Sequence, residues 1–390
     1  MKTIQRHRDL VFLYMFICIL VGGAISLLKS PVLFSEAENR ELAQINFPNI
    51  TAFLNGSYQS NLEKAISDQF IGSSTIRELY DGAIKFLPTF GIKERVCSNN
   101  YLMLDETRAT YNCDNRLLYA PRIFTEEEEY VVLKNISVLN NLNYLSQVYY
   151  YVINDSATFD FRTNTASIDI AALLENNMNG NFSVSGLNFK DYDEFRKLFY
   201  KTDHHWNYVG SYQGYLDILD EMGIQNPYQP TGTFTHHEAF FGSHARALRN
   251  YDFEEEFVVY LFNLPHFKTY VNGQAKPYGN HEKYISHDYT YDKNKNYYGE
   301  YYGDDYAEVI FDFNQSEKEN LLIISNSYSN PINELLAAHF NKTFVIDPRG
   351  NVEFRAEEYV SAKSIDKIVV ILSDKLLTRD DINFGDGNAV

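Results

Sequence analysis

The sequence contains few cysteines, three among 390 residues. So small a number excludes both a disulfide-dense scaffold and a zinc protein built on several cysteines. Glycine-rich phosphate loops are also missing, since neither G-x-G-x-x-G nor G-x-x-x-x-G-K-[ST] occurs. Basic residues number 34 against 52 acidic ones, a net charge of −18. This shortage of positive charge argues against a general nucleic-acid binder.

The N-terminus carries one long hydrophobic run. Leu10 to Leu28 is uncharged, and as a helix it would span about 28 Å, close to the thickness of a bilayer core. Three basic residues precede it, which predicts that residues 1–9 stay in the cytoplasm and that the rest of the chain lies outside the membrane. A cleaved signal peptide is the alternative, although its apolar core would be shorter and a small-residue cleavage site would follow. Both interpretations export the remaining chain.

The exported part divides into a tether, residues 29–59, and a domain, residues 60–390. Near the C-terminus, strand and helix patterns alternate in the order strand Leu321–Ser325, helix Ile332–Phe340, strand Thr343–Ile346, helix 352–361 and strand Lys367–Leu372. Such alternation predicts an α/β fold with a parallel sheet and crossover helices. Val148–Ile153 is a further strand candidate. Residues 225–310, rich in Tyr, His, Asn and Gly, predict an insert of strands and loops that is either a wall over a cleft or a surface excursion.

Two short segments carry candidate chemistry. Residues 201–207 read Lys-Thr-Asp-His-His-Trp-Asn, and in residues 321–330 a buried strand ends in a polar turn with serines. In an open parallel sheet, function gathers at the carboxyl ends of the strands. Backbone N–H groups beside a serine placed there can hold a developing oxyanion. A serine nucleophile also needs an imidazole base oriented by a carboxylate, and residues 201–207 offer both.

Other interpretations remain for these residues. A serine after a strand is often only part of a turn, and the single Trp, Trp206, is by itself typical of core packing. Asp-His-His could belong to a metal site together with His236, His237 and His244. No HExxH or CxxC pattern supports such a site, and we predict no metal.

Cys97 and Cys113 both lie in the exported part of the chain. An oxidising environment favours a disulfide between them, which would contribute roughly 3 kcal/mol by constraining the unfolded chain. Two free thiols are the alternative.

The segment TDHHWN, followed by YVGSYQGY, resembles the signature of the DHHW family and the D-x-H-W motif of the alginate O-acetyltransferase proteins. Further segments resemble family segments in the same order: FSEAENREL (34–42), SDQF (67–70), FFGSHARAL (240–248), LLIISNSYSNPI (321–332) and FVIDPRG (344–350). This resemblance extends over about residues 34–372. It implies an SGNH-hydrolase-like, three-layer α/β/α fold with a central parallel sheet and a permuted motif order, in which Asp and His precede Ser.

The resemblance also implies roles for individual residues. It assigns Ser327 as the nucleophile, His205 as the base and Asp203 as the partner of His205, with His204 as a neighbour. Asn326 stands where DHHW relatives often have Asp.

Substrate-binding residues follow from the same resemblance. They are Trp206, which would pack beneath the motif, Tyr328 and Arg349. The last of these would either line the site or brace the turn at Asp347.

The function implied is acetyl transfer outside the membrane. A membrane-anchored O-acetyltransferase would acetylate a secreted or cell-wall polysaccharide through an acyl-serine. No cofactor is expected, because a donor or a membrane-bound O-acyltransferase partner would supply the acetyl group. The acidic net charge favours a neutral glycan over an anionic one. Two alternatives are a carbohydrate esterase with the same triad and a non-catalytic polysaccharide-binding or scaffold protein of an export complex.

Overall fold

The computed structural model describes residues 14, 31–35, 40–44, 57–69, 102–105, 110–113, 115–161, 165–166, 168–351 and 353–386. The anchor expected at 10–28 lies outside these residues except for Tyr14. Among the described residues, no helix is both long and apolar enough to cross a bilayer. Our bounds for the anchor, the tether and the exported domain therefore stay predictions.

The strands and helices are numbered here in chain order. The strands are β1 Phe34–Ser35, β2 Arg40–Glu41, β3 Leu102–Asp105, β4 Thr110–Cys113, β5 Arg116–Tyr119, β6 Gln147–Ile153, β7 Phe159–Asp160, β8 Thr165–Ala166, β9 Phe182–Leu187, β10 Gly232–Thr235, β11 Val258–Leu261, β12 Lys268–Val271, β13 Gln274–Ala275, β14 Glu308–Asp312, β15 Leu321–Ile324, β16 Lys342–Ile346 and β17 Lys367–Leu372. The α-helices are α1 Ser57–Gln69, α2 Glu126–Asn140, α3 Ile170–Asn177, α4 Tyr192–Leu198, α5 Tyr208–Glu221, α6 Ser243–Leu248, α7 His281–Ile285, α8 Tyr297–Tyr302, α9 Asn333–Ala337, α10 Ala356–Lys363 and α11 Asp374–Leu377. Short 3₁₀ helices cover Asn141–Tyr144 and Ser327–Ser329.

The chain forms two compact units, residues 1–91 with 246–249, and residues 92–245 with 250–390. In the first unit, β1 and β2 pair antiparallel. Asp68 near the end of α1 accepts the Ala43 N–H at 3.0 Å. The Gln69 side chain accepts the Val32 N–H at 2.9 Å and donates to the Val32 carbonyl at 2.8 Å. The Asp and Gln of the SDQF segment therefore fasten α1 to the backbone that flanks residues 34–42.

An eight-stranded sheet forms the centre of the second unit, in the order β13-β12-β14-β16-β15-β17-β6-β9. Five neighbouring strands run parallel, namely β16, β15, β17, β6 and β9. Beyond β16, each further pairing is antiparallel, first β16 with β14, then β14 with β12, and then β12 with β13. This confirms an α/β fold with a mostly parallel central sheet. Within β6, Val148 and Val152 belong to one hydrophobic core, while Tyr151 and Ile153 belong to another. The sheet is thus buried on both faces, as parallel sheets are.

Helices cover each face of this sheet. Buried residues of α2, α3 and α10 pack in one core, and those of α4, α5 and α9 pack in the other. Thr125 is the N-cap of α2. Thr125 and Glu128 form a capping box, in which each side chain bonds to the other residue's backbone N–H. Four glutamates in the first turn of α2 suit the positive end of the helix dipole.

Residues 225–310 differ from a simple insert. Within this region, β12 and β13 extend the central sheet, because β12 pairs antiparallel with β14. The tyrosines of α8 pack with Tyr200 and Phe257 into a separate aromatic core. Part of this region therefore belongs to the edge of the central sheet, and part forms a separate aromatic core. Its strand pairings link residues far apart in sequence.

Cys113 lies in β4, which pairs with β3 and β5. It is disulfide-bonded. Cys97 lies outside the described residues, so the Cys97–Cys113 pairing stays a prediction.

Candidate active site

Asp203, His205 and Ser327 form a continuous series of hydrogen bonds. His205 Nδ1 lies 2.6 Å from Asp203 Oδ1, and His205 Nε2 lies 2.8 Å from Ser327 Oγ. The carboxylate fixes the tautomer in which Nδ1 carries the proton, because a carboxylate only accepts. Nε2 is then free to accept the serine proton. Residues 122 positions apart therefore meet in the geometry of a nucleophile, a base and an orienting acid.

The loop that carries Asp203 and His205 joins α4 to α5. An isolated β-bridge between Phe199 and Trp206 closes the base of this loop. Asn207 ends it and caps α5, since its side-chain oxygen accepts the N–H groups of Val209 and Gly210 at 2.9 and 3.1 Å. Asp203 and His205 are thus held between a helix cap and a backbone bridge.

Gly242 and Ser243, at the start of α6, donate hydrogen bonds to this loop. The Ser243 N–H donates to Asp203 Oδ2 at 2.6 Å, and the Gly242 N–H donates to Thr202 Oγ1 at 2.9 Å. An added Cβ at Gly242 would lie 2.6 Å from the Asp203 Cα and backbone nitrogen, so only glycine fits there. Sequence reasoning singled out residues 240–248 by resemblance but gave them no role. Their role in the structure is to fix Asp203.

Ser327 lies three residues beyond Ile324, where β15 ends, and it is the first residue of the 3₁₀ helix Ser327–Ser329. The Asn326 side chain accepts the Tyr328 N–H at 3.2 Å, which turns the chain sharply. Within the described part of the chain, the Ser327 N–H donates to no acceptor. It is therefore available to an oxyanion at the serine, as a nucleophile site requires.

Two tyrosines pack against the His205 ring. Tyr298 of α8 stacks on it, with ring centroids 4.0 Å apart and an interplanar angle of 11°, and its hydroxyl donates to the Ser327 carbonyl at 2.9 Å. Tyr328 meets the ring edge-on at 5.1 Å and donates its hydroxyl to the His204 carbonyl at 2.8 Å. Sequence reasoning missed Tyr298, because it lies in the Tyr-rich stretch 297–302 without any motif.

His204 points to a different set of partners. Its Nδ1 lies 2.6 Å from Ser243 Oγ, and its ring centroid lies 3.9 Å from that of His205. Burial and the nearby His205 lower the pKa of His204 well below its usual value. The structure therefore keeps His204 as a neutral neighbour of the triad.

Asp203 is buried, which by itself raises the pKa of a carboxyl group. The attraction and hydrogen bonds of His205 outweigh burial and hold the pKa of Asp203 well below its usual value. The carboxylate thus stays charged and keeps orienting the imidazole over the pH range in which most enzymes act.

The three residues expected to bind substrate lie in different places. Trp206 has no exposed surface and packs against Tyr151 and Tyr328, so it lies in the core, where it cannot contact a substrate as the resemblance implied. Tyr328 is also buried, but it borders a cavity beside Ser327. Arg349 borders the same cavity and also braces the turn, with Nη2 2.5 Å from Asp347.

A metal site was the alternative for this region. In the part of the chain that the structure describes, the one group of three clustered ligand-type residues is Asp203, His204 and His205, whose ligand atoms lie within 4.8 Å of one another. Their Nδ1 and Oδ1 atoms are already engaged in the hydrogen bonds given above. His236 and His237 do not join this group.

The fold is similar to that of several solved structures. PatB1 of Bacillus cereus, solved with a sulfonyl adduct, matches with a TM-score of 0.53 and 19% identity over 70% of this chain and 96% of that one. A DHHW family protein from Eubacterium siraeum DSM 15702 matches with a TM-score of 0.51 and 14% identity, over 69% of this chain and 91% of that one. The O-acetyltransferase domain of Pseudomonas putida AlgJ reaches a TM-score of only 0.34 at 11% identity, over 68% of this chain and 90% of that one.

No protein-family model and no curated protein sequence matches the chain. At identities below 20%, the similarity to solved structures concerns the fold alone. For the fold, this similarity confirms the resemblance to a DHHW family protein that the motifs indicated.

Proposed function

We propose that this chain is an O-acetyltransferase with an SGNH-hydrolase-like fold. It would be anchored by residues 10–28 and would act outside the membrane on a secreted or cell-wall polysaccharide. The hydrogen-bonded series Asp203–His205–Ser327 at the end of a parallel strand is the observation that supports this most directly. The motif resemblance supports transfer to a sugar rather than hydrolysis.

The first half-reaction forms an acyl-serine. His205 Nε2 takes the Ser327 proton while Ser327 Oγ attacks the acetyl carbonyl carbon of an ester or thioester donor. The Ser327 N–H stabilises the negative charge on the carbonyl oxygen. As the bond between the acetyl group and the donor breaks, His205 passes the proton to the leaving group.

The second half-reaction transfers the acetyl group. His205 removes a proton from a sugar hydroxyl, whose oxygen attacks the acyl carbon. The bond to Ser327 Oγ breaks, and the proton returns from His205 to the serine. The products are an O-acetyl sugar and the free enzyme, with no change in oxidation state.

A second oxyanion donor is expected beside the Ser327 N–H. Asn326 Nδ2 is a suitable group, because it borders the same cavity and its described contact is a long one, 3.5 Å to Ser373 Oγ. A membrane-bound O-acyltransferase partner would deliver the acetyl group, so no resident cofactor is needed.

The test measures where the acetyl group goes. The full-length protein in detergent is given 4-nitrophenyl acetate with neutral and acidic oligosaccharides, and Ser327→Ala serves as the control. We expect Ser327-dependent acetylated oligosaccharide in excess over free acetate. Free acetate as the only product would indicate an esterase. Products that persist in Ser327→Ala would contradict catalysis by Ser327 and favour the scaffold role.

A further inference from the structure

Cationic side chains border the cavity beside Ser327. It encloses about 300 Å³ and is bordered by Ser327, His204 and four cationic residues, namely Arg122, Arg349, Lys375 and Arg379, and no Asp or Glu borders it among the described residues. This is unexpected in a chain with a net charge of −18. Four cationic side chains therefore border the space beside Ser327.

The three arginines are each paired with at least one carboxylate that does not border the cavity, and Arg122 and Arg349 pair in addition with Glu128 and Asp347. Arg122 Nη1 lies 3.1 Å from Asp374, and Arg349 Nη2 lies 2.8 Å from Asp305. Arg379 Nη2 lies 2.6 Å from Asp381. In the described structure, these contacts leave Nη1 of Arg349 and Nη1 of Arg379 without an acceptor. A guanidinium carries five N–H donors, so both arginines can still bind an anion.

Lys375 differs from the arginines in having no salt bridge to a described residue. Its Nζ lies 3.7 Å from the centroid of the Tyr119 ring, and the side chain is half-buried. Burial lowers the pKa of Lys375, but Tyr119, Asp155 and Asp374 together raise it above its usual value. The group is thus a charged ammonium that these neighbours stabilise, and without a salt bridge to a described residue its remaining N–H donors can bind an added anion.

We propose that this cavity binds an acid group of the acceptor glycan, a carboxylate or a phosphate carried close to the hydroxyl that is acetylated. Lys375 supplies the main charge, and Arg349 and Arg379 supply further N–H donors. This proposal rests on the proposed function and reverses the preference for a neutral glycan that the net charge suggests. Long-range repulsion acts over the whole surface, whereas the contacts that select a ligand act within the cavity.

Binding tests this directly and does not depend on turnover. Oligogalacturonate, a glycerol-phosphate oligomer and an uncharged cello-oligosaccharide are titrated into the full-length protein in detergent. We expect one of the two acidic ligands to bind at least about tenfold more tightly than the uncharged one, since a hydrogen bond to a charged group contributes that much. Which of them binds distinguishes carboxylate from phosphate.

Lys375→Met should remove most of this preference, and Lys375→Arg should retain it. Lys276→Met is the matched control, because Lys276 also lies over a tyrosine ring, 4.6 Å from the centroid of Tyr306, but borders no part of this cavity. Equal affinity for acidic and uncharged ligands in the unmodified protein would overturn the proposal. So would an equal loss in Lys276→Met and Lys375→Met.

The acetyl adduct on Ser327 is measured in the same preparations. An acetyl adduct on Ser327 without a preference for acidic ligands would contradict the acid-binding cavity but not the acetyltransferase function. Acid preference without an adduct supports the acid site and contradicts the acetyltransferase function.

Discussion

At the residue scale, the His205 ring is held on three sides. Asp203 bonds to Nδ1, Ser327 bonds to Nε2, and Tyr298 stacks on the ring face. The Tyr298 hydroxyl also bonds to the Ser327 carbonyl. One side chain therefore fixes both the orientation of the base and the backbone of the nucleophile, and we regard Tyr298 as a positioning residue.

Replacing Tyr298 separates these two contacts. Tyr298→Leu should slow acylation of Ser327 by at least about tenfold, because a base that is displaced by a fraction of an ångström loses its alignment. Tyr298→Phe keeps the stacked ring and should lose less. Rates of 4-nitrophenol release from 4-nitrophenyl acetate measure both.

Tyr301→Leu is the control for the loss of a buried tyrosine from the same helix. Tyr301 stacks on His281 instead of His205. An equal drop in Tyr301→Leu and Tyr298→Leu would reduce Tyr298 to a packing residue.

Asp203→Asn tests the orienting carboxylate. An amide can present its NH₂ group to His205 and so select the wrong tautomer, which lowers the acylation rate by about 10⁴-fold in the Ser-His-Asp template. The variant should still fold. A loss of less than about tenfold would show that Asp203 does not set the tautomer.

Stability against pH gives a second measurement on Asp203. Its pKa is lowered in the folded protein, so its stabilising effect is fully present above the unfolded pKa of about 4 and is lost as the pH falls through the folded value. The difference in free energy of unfolding between the unmodified protein and Asp203→Asn should therefore shrink below about pH 4. A difference that stays constant to lower pH would contradict the lowered pKa.

The chemistry of the site could be predicted from sequence only where it lies in short motifs. The segments around Asp203 and Ser327 are recognisable because the residue types required for acyl transfer lie a few positions apart. Tyr298 and Lys375 could not be predicted, since each reaches the site from a distant segment and belongs to a residue type common on any surface. Ser243 lies in a segment that the resemblance singled out, but its contact with Asp203 could not be predicted. Their roles follow from contacts that no local pattern encodes.

At the element scale, close approach of α5 to the motif loop fixes Trp206. An added Cβ at Gly214 would lie 2.5 Å from the Trp206 ring, and one at Gly210 would lie 2.2 Å from the Leu198 carbonyl oxygen. Both glycines lie on the buried side of the helix. The segment YVGSYQGY therefore has a steric reason for its two glycines.

Gly214→Ala should destabilise the protein by about 1–3 kcal/mol, the usual cost of overpacking a core. Chemical denaturation measures the change. Gly232→Ala is the control, because an added Cβ there meets nothing within 4 Å. Equal stability of the two variants would mean that the Trp206 ring can move aside.

The elements themselves were predictable where they are hydrophobic and consecutive. β6, β15, β16 and β17 match the apolar runs within one or two residues, because a strand buried on both faces needs a continuous run. β12 and β13 are mostly polar and partly exposed edge strands. β13 pairs only with β12, and β12 joins the sheet through β14, a partner distant in sequence, so periodicity could not identify either strand.

At the scale of the whole molecule, the disulfide at Cys113 constrains the unfolded chain. If Cys97 is its partner, Cys97→Ser and Cys113→Ser should each lower the free energy of unfolding by roughly 3 kcal/mol. The double variant should lose no more than either single one, because both remove the same cross-link. Additive losses would contradict the pairing, as would a free Cys97 thiol detected by mass spectrometry of the alkylated, unreduced protein.

The central claim is that Ser327 is a nucleophile activated by His205. The most direct measurement is the intact mass of the full-length protein after exposure to 4-nitrophenyl acetate, with peptide mapping of the product. A sulfonyl fluoride, which sulfonylates activated serines, serves as a second probe. We predict an acetyl-sized increase on the peptide that contains Ser327, absent in Ser327→Ala and strongly slowed in His205→Ala. An unmodified protein, or the same adduct in Ser327→Ala, would contradict this account.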